Sequence, residues 1–157
     1  MLDIGCHKGE LLQKASKKII KGTGIDPHCS TQIVSSKLTF IQGRFPEALP
    51  AGDNYSCITL LAVFEHIPPA KQQEFLRECY SLLEPGGTLI ITVPDIRVDK
   101  ILKKLQRYNL ISGMDVEEHY GYDPFDTLPL CAKAGFRLVI FEQFEMGYNN
   151  LFVFSKP

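Results

Sequence analysis

Short apolar runs alternate along the chain with longer stretches in which apolar residues recur at helical spacing. The runs that predict strands are residues 22–26, 38–42, 57–62, 88–93, 137–142 and 151–155, with a first strand ending at Asp3. Strands separated by segments of helix length are typical of a parallel sheet with crossover helices on both faces. The pattern therefore predicts an α/β protein with a doubly wound, mostly parallel sheet.

The first helical stretch follows Gly9, where Leu11, Leu12, Ala15 and Ile19 recur at helical spacing. The same stretch carries a separate stripe of lysines, Lys14, Lys17, Lys18 and Lys21. This stripe predicts a solvent-exposed helix face, with an anion-binding surface as the alternative. Further helices are predicted over residues 70–83, 97–108 and 126–134, and an irregular region over residues 109–125.

Glycines and acids stand where the first two predicted strands end. Asp3 closes the first strand and is followed by Gly5 and Gly9, while Asp26 closes the second strand. Only glycine lets the backbone approach a ligand closely, and a carboxylate accepts hydrogen bonds from both hydroxyls of a ribose. Ligands of such sheets bind beyond the carboxyl ends of the strands, so the pattern predicts adenosine binding. The alternative for Asp26 is a helix-capping acid, since Asp-Pro is a good cap.

Four blocks of sequence resemble a known family. In chain order they are LDIGCHKG at residues 2–9, GIDP at 24–27, VFEHI at 63–67 and LLEPGGTL at 82–89. Together they resemble the class I S-adenosylmethionine-dependent methyltransferases, within them the small-molecule group called type 11 or UbiE-like. The resemblance implies a seven-stranded Rossmann-like sheet that ends in an antiparallel hairpin.

The resemblance also implies a set of cofactor-binding residues. Asp3 stands where relatives hold the methionine ammonium of the cofactor, directly or through water, and Asp26 stands where they bind its ribose. The complete implied set is Asp3, Gly5, Cys6, His7, Gly9, Asp26, Pro27, Gly43, Arg44, Phe45, Leu61 and Ala62.

Two of these positions depart from the family pattern. His7 replaces the middle glycine of the loop, and its side chain either donates to the cofactor's carboxylate or points to solvent. Arg44 stands where relatives place an Asp that meets the adenine amino group. The adenine contact is then left to the backbone, to stacking of Arg44, or to Phe45 as an apolar wall.

Two histidines are candidates for catalysis. His66 follows the strand predicted over residues 57–62, and a neutral imidazole accepts a proton from a substrate hydroxyl. A structural role at a helix start is the alternative. His119 is either a general base, a substrate-orienting group or a surface residue, and Tyr120 and Tyr122 beside it are candidates for walls of an acceptor pocket.

Composition narrows the classes of partner. The 157 residues, 45% of them hydrophobic, fit one domain over residues 1–157, and we expect it to lack the amino-terminal helices usual in the family. A net charge of −1 makes nucleic acid a poor partner. The five scattered cysteines favour a reduced, cytoplasmic protein over a disulfide framework, and the four histidines show no metal-ligand spacing. No apolar run is long enough to insert in a membrane.

The sequence thus predicts a methyltransferase that moves a methyl group from S-adenosylmethionine to O, N or C of a small molecule. A quinone, a lipid-linked molecule and a glycan-pathway molecule all remain open as the acceptor, and a homodimer is open as the assembly. The first alternative is a non-catalytic S-adenosylmethionine-binding domain, which His7 and Arg44 support. The second is a nicotinamide-binding enzyme, which the glycine spacing opposes.

Overall fold

The structure, a computed structural model, describes residues 1–98 and 122–157. These residues form one sheet in the order β3-β4-β2-β1-β5-β6-β8-β7. The strands are β1 (Leu2–Ile4), β2 (Gly22–Asp26), β3 (Gln32–Ile33), β4 (Leu38–Gln42), β5 (Tyr55–Leu61), β6 (Leu83–Pro94), β7 (Arg137–Phe144) and β8 (Asn149–Ser155). The described helices are α1 (Glu10–Ala15), α2 (Pro69–Leu82) and α3 (Thr127–Lys133).

The pairing of the strands confirms the predicted fold class. Strands β4, β2, β1, β5 and β6 are parallel to one another, and β7 and β8 form the antiparallel hairpin at one edge. The described sheet has eight strands rather than the seven predicted, because β3 adds to the opposite edge. Strand β3 has two exposed residues, and its pairing of Gln32 with Phe40 comes from tertiary contact rather than from an apolar pattern.

Two elements differ in extent from their sequence patterns. Helix α1 ends at Ala15, although apolar spacing continues to Ile19, and Ile20 beyond it is exposed. Strand β6 begins at Leu83 directly after α2, whereas the apolar pattern predicted its start at residue 88, so Pro85, Gly86 and Gly87 lie within the strand. The predicted helix over residues 97–108 lies almost wholly outside the described residues.

The two faces of the sheet pack against different helices. Adjacent strand residues point to opposite faces. Accordingly Ile41 packs with the larger apolar cluster, which includes Leu76 of α2 and Cys131 of α3, whereas Phe40 packs with Leu12 of α1 in a smaller cluster. Among the described helices, none is both long and apolar enough to cross a membrane.

Gly9 joins the loop after β1 to helix α1 at a point of close packing. Its φ is +78°, and a Cβ at this position would overlap the ring of Phe40. We expect Gly9→Ala to lower the free energy of unfolding by about 2–5 kcal/mol, the sum of a left-handed alanine and an overpacked ring. Urea unfolding measures the loss.

Gly52→Ala is the matched control for this prediction. Gly52 also has a positive φ, +106°, but a Cβ there would meet nothing within 4 Å. We expect Gly52→Ala to lower the free energy of unfolding by the backbone contribution alone, about 1–2 kcal/mol. If the two variants lose the same free energy of unfolding, overlap with the ring of Phe40 contributes nothing to the loss in Gly9→Ala.

Candidate functional site

A cavity of about 620 Å³ opens at the carboxyl ends of the parallel strands. Its volume is that of a typical cofactor or small-molecule site. Most of the implied cofactor residues line it, namely Gly5, Asp26, Pro27, Gly43, Arg44, Phe45, Leu61 and Ala62. Asp3, Cys6, His7 and Gly9 are not among its lining residues. The topology therefore brings four strand ends, which are distant in sequence, to one site.

Gly5 lines the cavity and lets the chain after β5 pack closely against the loop after β1. Its φ is +76°, its N–H donates to the Ile25 carbonyl at 2.8 Å, and a Cβ here would overlap Val63. Glycine alone meets both demands, because it adopts positive φ without strain and has no side chain. Val63, which follows the turn after β5, therefore packs directly against the backbone of this loop.

The carboxylate of Asp26 is held rigidly at the end of β2. The side chain is buried, with 8% of its surface exposed, and accepts hydrogen bonds from the backbone N–H groups of His7 (3.0 Å) and His28 (2.7 Å). Each oxygen accepts one of these bonds, and a carboxylate has about four acceptor positions in all. Asp26 thus retains acceptor capacity on both oxygens for a pair of hydroxyl groups.

His7 adopts the backbone conformation of the glycine that it replaces. Its φ is +47°, which allows its N–H to reach Asp26. The side chain is exposed, with Nδ1 3.9 Å from Oε1 of Glu10, and lines a separate cavity of about 310 Å³ together with Lys8 and His28. The imidazole therefore points away from the main cavity.

We expect His7→Gly to raise the free energy of unfolding by about 0.5–1 kcal/mol. Glycine removes the left-handed strain of a residue with a Cβ, and the greater entropy of the unfolded chain offsets part of this gain. The backbone bond to Asp26 remains, so ligand binding should change less than threefold. Urea unfolding and calorimetric titration test both expectations, and a destabilised variant would show that the imidazole itself contributes to the fold.

Asp3 lies behind the wall of the cavity. It is 4% exposed, and its Oδ1 accepts a hydrogen bond from the Thr59 hydroxyl at 2.6 Å. Burial raises the pKa of Asp3 to about 6, and the negative charges of Asp26 and Glu10 add to this, while the Thr59 bond opposes it. A contact between Asp3 and a ligand in the cavity therefore requires an intermediary such as water.

The other residues of the loop outside the cavity serve packing. Cys6 is buried in the smaller apolar cluster with Leu12 and Phe40, and burial raises the pKa of its thiol to about 12. A thiol with so high a pKa is a poor nucleophile at neutral pH. Cys6, like Gly9, thus shapes the loop without facing the cavity.

The loop after β4 forms the opposite wall. The Gly43 N–H donates to the Asp26 carbonyl at 3.1 Å, which holds this loop beside the acid. Phe45 is buried with its ring centroid 4.8 Å from that of Phe75 in α2, and Arg44 also lines the cavity. An apolar ring and a guanidinium therefore stand where the resemblance placed the adenine contact.

Helix α2 contributes residues that the sequence analysis did not single out. Lys71, Glu74, Phe75 and Glu78 all line the cavity. Their spacing of three, four and seven positions places them on one helix face, and this face directly follows the turn at the end of β5. That spacing shows that these residues share a helix face, but it does not show that this face borders the cavity.

The structure describes one of the two catalytic candidates, His66. His66 lies in a 3-10 turn, Phe64–His66, and lines the cavity. Tyr122 is in the core, with its hydroxyl 2.8 Å from that of Thr127 and its ring edge-on to Phe64, so it does not wall the cavity. His119 and Tyr120 lie outside the described residues. Within residues 1–98 and 122–157, no group of three His, Cys, Asp or Glu side chains is arranged to hold a metal ion.

Solved structures share this fold at low sequence identity. A methyltransferase of Bacillus halodurans, described as putative, superposes with a TM-score of 0.73 at 16% identity, covering 99% of this chain and 91% of that one. Magnesium protoporphyrin IX methyltransferase from Synechocystis PCC 6803, solved with bound S-adenosylhomocysteine, gives a TM-score of 0.71 at 17% identity, covering 99% of this chain and 73% of that one. A Haloferax volcanii protein described as a putative methyltransferase was solved in complex with the activator Trm112. It gives a TM-score of 0.73 at 16% identity, covering 99% of this chain and 81% of that one.

Curated sequences and a family model point the same way. Ubiquinone biosynthesis O-methyltransferase from Vibrio parahaemolyticus is 29% identical over 96 residues, 55% of this chain and 40% of that protein. The protein of the same name from a Bradyrhizobium species is 27% identical over 100 residues, which are 59% of this chain and 38% of that protein. The matched region thus spans well under half of these relatives. The model of the methyltransferase domain family matches residues 1–140, so the chain belongs to that family, as its sequence blocks indicated.

Proposed function

We propose that the chain binds S-adenosylmethionine in the main cavity and transfers its methyl group to a small-molecule acceptor. The observation that carries this proposal is the Asp26 carboxylate, which is fixed by two backbone donors and retains acceptor capacity on both oxygens at the cavity wall. Membership of the methyltransferase domain family supports methyl transfer. We propose further that residues 1–157 act as one methyltransferase domain, whereas the homodimer stays a prediction.

The residues of the cavity fit this cofactor. Gly5 and Val63 both line the cavity, and their close packing would form the wall beside the methionine portion. Asp26 would bind the two ribose hydroxyls, and Leu61 and Ala62 would line the ribose and methionine side. At the adenine end, Phe45 would supply an apolar wall and Arg44 a stacking surface.

Little proton chemistry is required of the protein. The cofactor supplies a methyl group already activated on a sulfonium. The chain's own residues have to orient the acceptor towards that methyl group and exclude water. His66 at the cavity wall would accept the proton that a hydroxyl acceptor loses.

The acceptor that we propose is a hydroxyl group on a small aromatic molecule. Two observations support oxygen over nitrogen or carbon: the curated relatives are named as O-methyltransferases, and an imidazole lines the cavity as a base for a hydroxyl proton. Ile67, Phe75 and Pro68 give the same region an apolar wall suited to a ring.

Calorimetric titration of S-adenosylmethionine, S-adenosylhomocysteine and NAD tests the cofactor. We expect micromolar binding of both adenosyl ligands and none of NAD, and the reverse preference would overturn the proposal. Transfer of a labelled methyl group is then measured to catechol, to phenylethylamine and to a buffer blank. Methylation of catechol alone supports the hydroxyl acceptor, methylation of the amine overturns that part, and binding without transfer to any aromatic hydroxyl favours a non-catalytic domain.

A further inference from the structure

The chain turns sharply at the end of β5 through a residue in a disfavoured conformation. Ala62 has a φ of +53°, in the left-handed region that residues with a Cβ rarely adopt. Such residues persist only where the surrounding structure holds them, and they are concentrated at functional sites. Ala62 lines the main cavity, so the origin of its conformation bears on the site.

Thr92 of the neighbouring strand offers two acceptors to the backbone N–H of this turn. The Ala62 N–H donates both to the Thr92 carbonyl at 3.1 Å and to the Thr92 hydroxyl at 3.0 Å. The carbonyl bond continues the β5–β6 ladder, in which Leu61 is paired with Thr92. The hydroxyl bond is additional, since any residue at position 92 supplies the carbonyl but only an acceptor side chain supplies the second bond.

The turn sets the position of the next residue against the glycine loop. Val63 follows Ala62 directly, and its side chain occupies the place where a Cβ on Gly5 would lie. Leu61 and Val63, on either side of the turn, both line the cavity. The conformation of Ala62 therefore determines how closely the β5 end approaches the loop after β1.

We propose that Thr92 is a positioning residue for the cofactor site, acting through Ala62; this inference rests on the proposed function. Its hydroxyl stabilises the left-handed turn, and the turn seats Val63 against Gly5 to close the methionine side of the cavity. Thr92 itself does not line the cavity, so its effect on binding is exerted through the backbone of Ala62.

The test compares Thr92→Val, which keeps the shape but loses the acceptor, with Thr92→Ser, which keeps the hydroxyl. We expect Thr92→Val to weaken binding of S-adenosylhomocysteine about tenfold by calorimetry, and Thr92→Ser to change it less than twofold. Thr88→Val is the matched control, because Thr88 is also half-buried and lies on the same face of β6 at its far end. It should bind like the unaltered protein.

A second background separates positioning from a general loss of stability. In an Ala62→Gly protein the left-handed turn is free of strain. Thr92→Val should therefore weaken binding by less than threefold in that background. A merely structural role would give the same loss in both backgrounds. That result, or unaltered binding by Thr92→Val in the Ala62 protein, would overturn the inference.

A measurement without ligand distinguishes this inference from the proposed function. The φ of Ala62, read by NMR from its amide–Hα coupling together with the intraresidue NOE between the amide proton and Hα, should be positive in the unaltered protein and in Thr92→Ser, and shifted in Thr92→Val. If the unaltered protein binds no adenosyl ligand, the proposed function fails, while this coupling still decides whether Thr92 holds the turn. An unchanged coupling in Thr92→Val overturns the inference on its own.

Discussion

Replacing Asp26 with alanine is expected to weaken binding of S-adenosylhomocysteine at least about a hundredfold. The variant loses two hydrogen bonds from ligand hydroxyls to a charged acceptor, each worth about 1.5–3 kcal/mol. It also leaves the backbone N–H groups of His7 and His28 without the acceptor that they have now. We therefore expect the free energy of unfolding to fall as well, by about 2–4 kcal/mol. Calorimetric titration measures the first effect and urea unfolding the second.

Asp53→Ala is the control for the Asp26 experiment. Asp53 is a half-exposed acid paired with Lys21 at 3.3 Å, and exposed pairs contribute only about 0–1 kcal/mol. We expect this variant to bind the ligand like the unaltered protein. If Asp26→Ala is folded at the titration temperature and binds within threefold of the unaltered protein, the assignment of Asp26 to the ribose is wrong.

Asp3→Asn is expected to raise the free energy of unfolding by about 2–3 kcal/mol at pH 7 and to change it little at pH 4. The folded protein raises the pKa of Asp3 to about 6, from an ordinary value of 3.8. Between these two values the folded state holds more protons at this site than the unfolded state, so stability falls as the pH rises from about 4 to about 6. Above pH 6 the full penalty of a buried charge is present, and each unit of pKa shift is worth about 1.4 kcal/mol.

Asparagine removes the charge and retains the contact. Its side-chain carbonyl still accepts from the Thr59 hydroxyl, which lies 2.6 Å from Asp3 in the unaltered protein. Urea unfolding from pH 4 to pH 8 tests this. We expect the stability of the unaltered protein to fall relative to that of Asp3→Asn as the pH rises. The control is a variant at an exposed acid, Asp53→Asn, for which we expect no such fall relative to the variant. A constant difference between Asp3→Asn and the unaltered protein at all pH values would show that the carboxyl titrates normally.

The proposed role of Asp3 gives the same variant a second expected effect. If the carboxylate holds the methionine ammonium through water, Asp3→Asn binds S-adenosylhomocysteine more weakly while being more stable. A protein retains a destabilising buried charge where that charge serves its function. Weaker binding by the more stable variant would therefore support a functional role for Asp3. Unaltered binding would instead assign Asp3 to the loop structure alone.

The sequence alone determined the parallel arrangement of the sheet and the bounds of strands β2 and β4. Runs such as residues 22–26 and 38–42 appear with the same bounds in the structure, because β-branched and apolar residues bounded by glycine and proline have few alternatives. The hairpin of β7 and β8 was likewise predictable, as were Gly5 and Asp26 at strand ends. These features depend on local pattern and on the order of elements.

Only the tertiary structure decided which side chains face the cavity. Asp3 and Gly5 are two positions apart, yet one lies behind the wall and the other forms it, because the strand ends between them and the chain turns. The imidazole of His7 turns away because its backbone N–H is directed to Asp26, a partner 19 residues distant. Lys71 and Glu74 reach the cavity only because α2 packs beside the loop after β4. Such placements depend on contacts between segments remote in sequence, and no local pattern contains them.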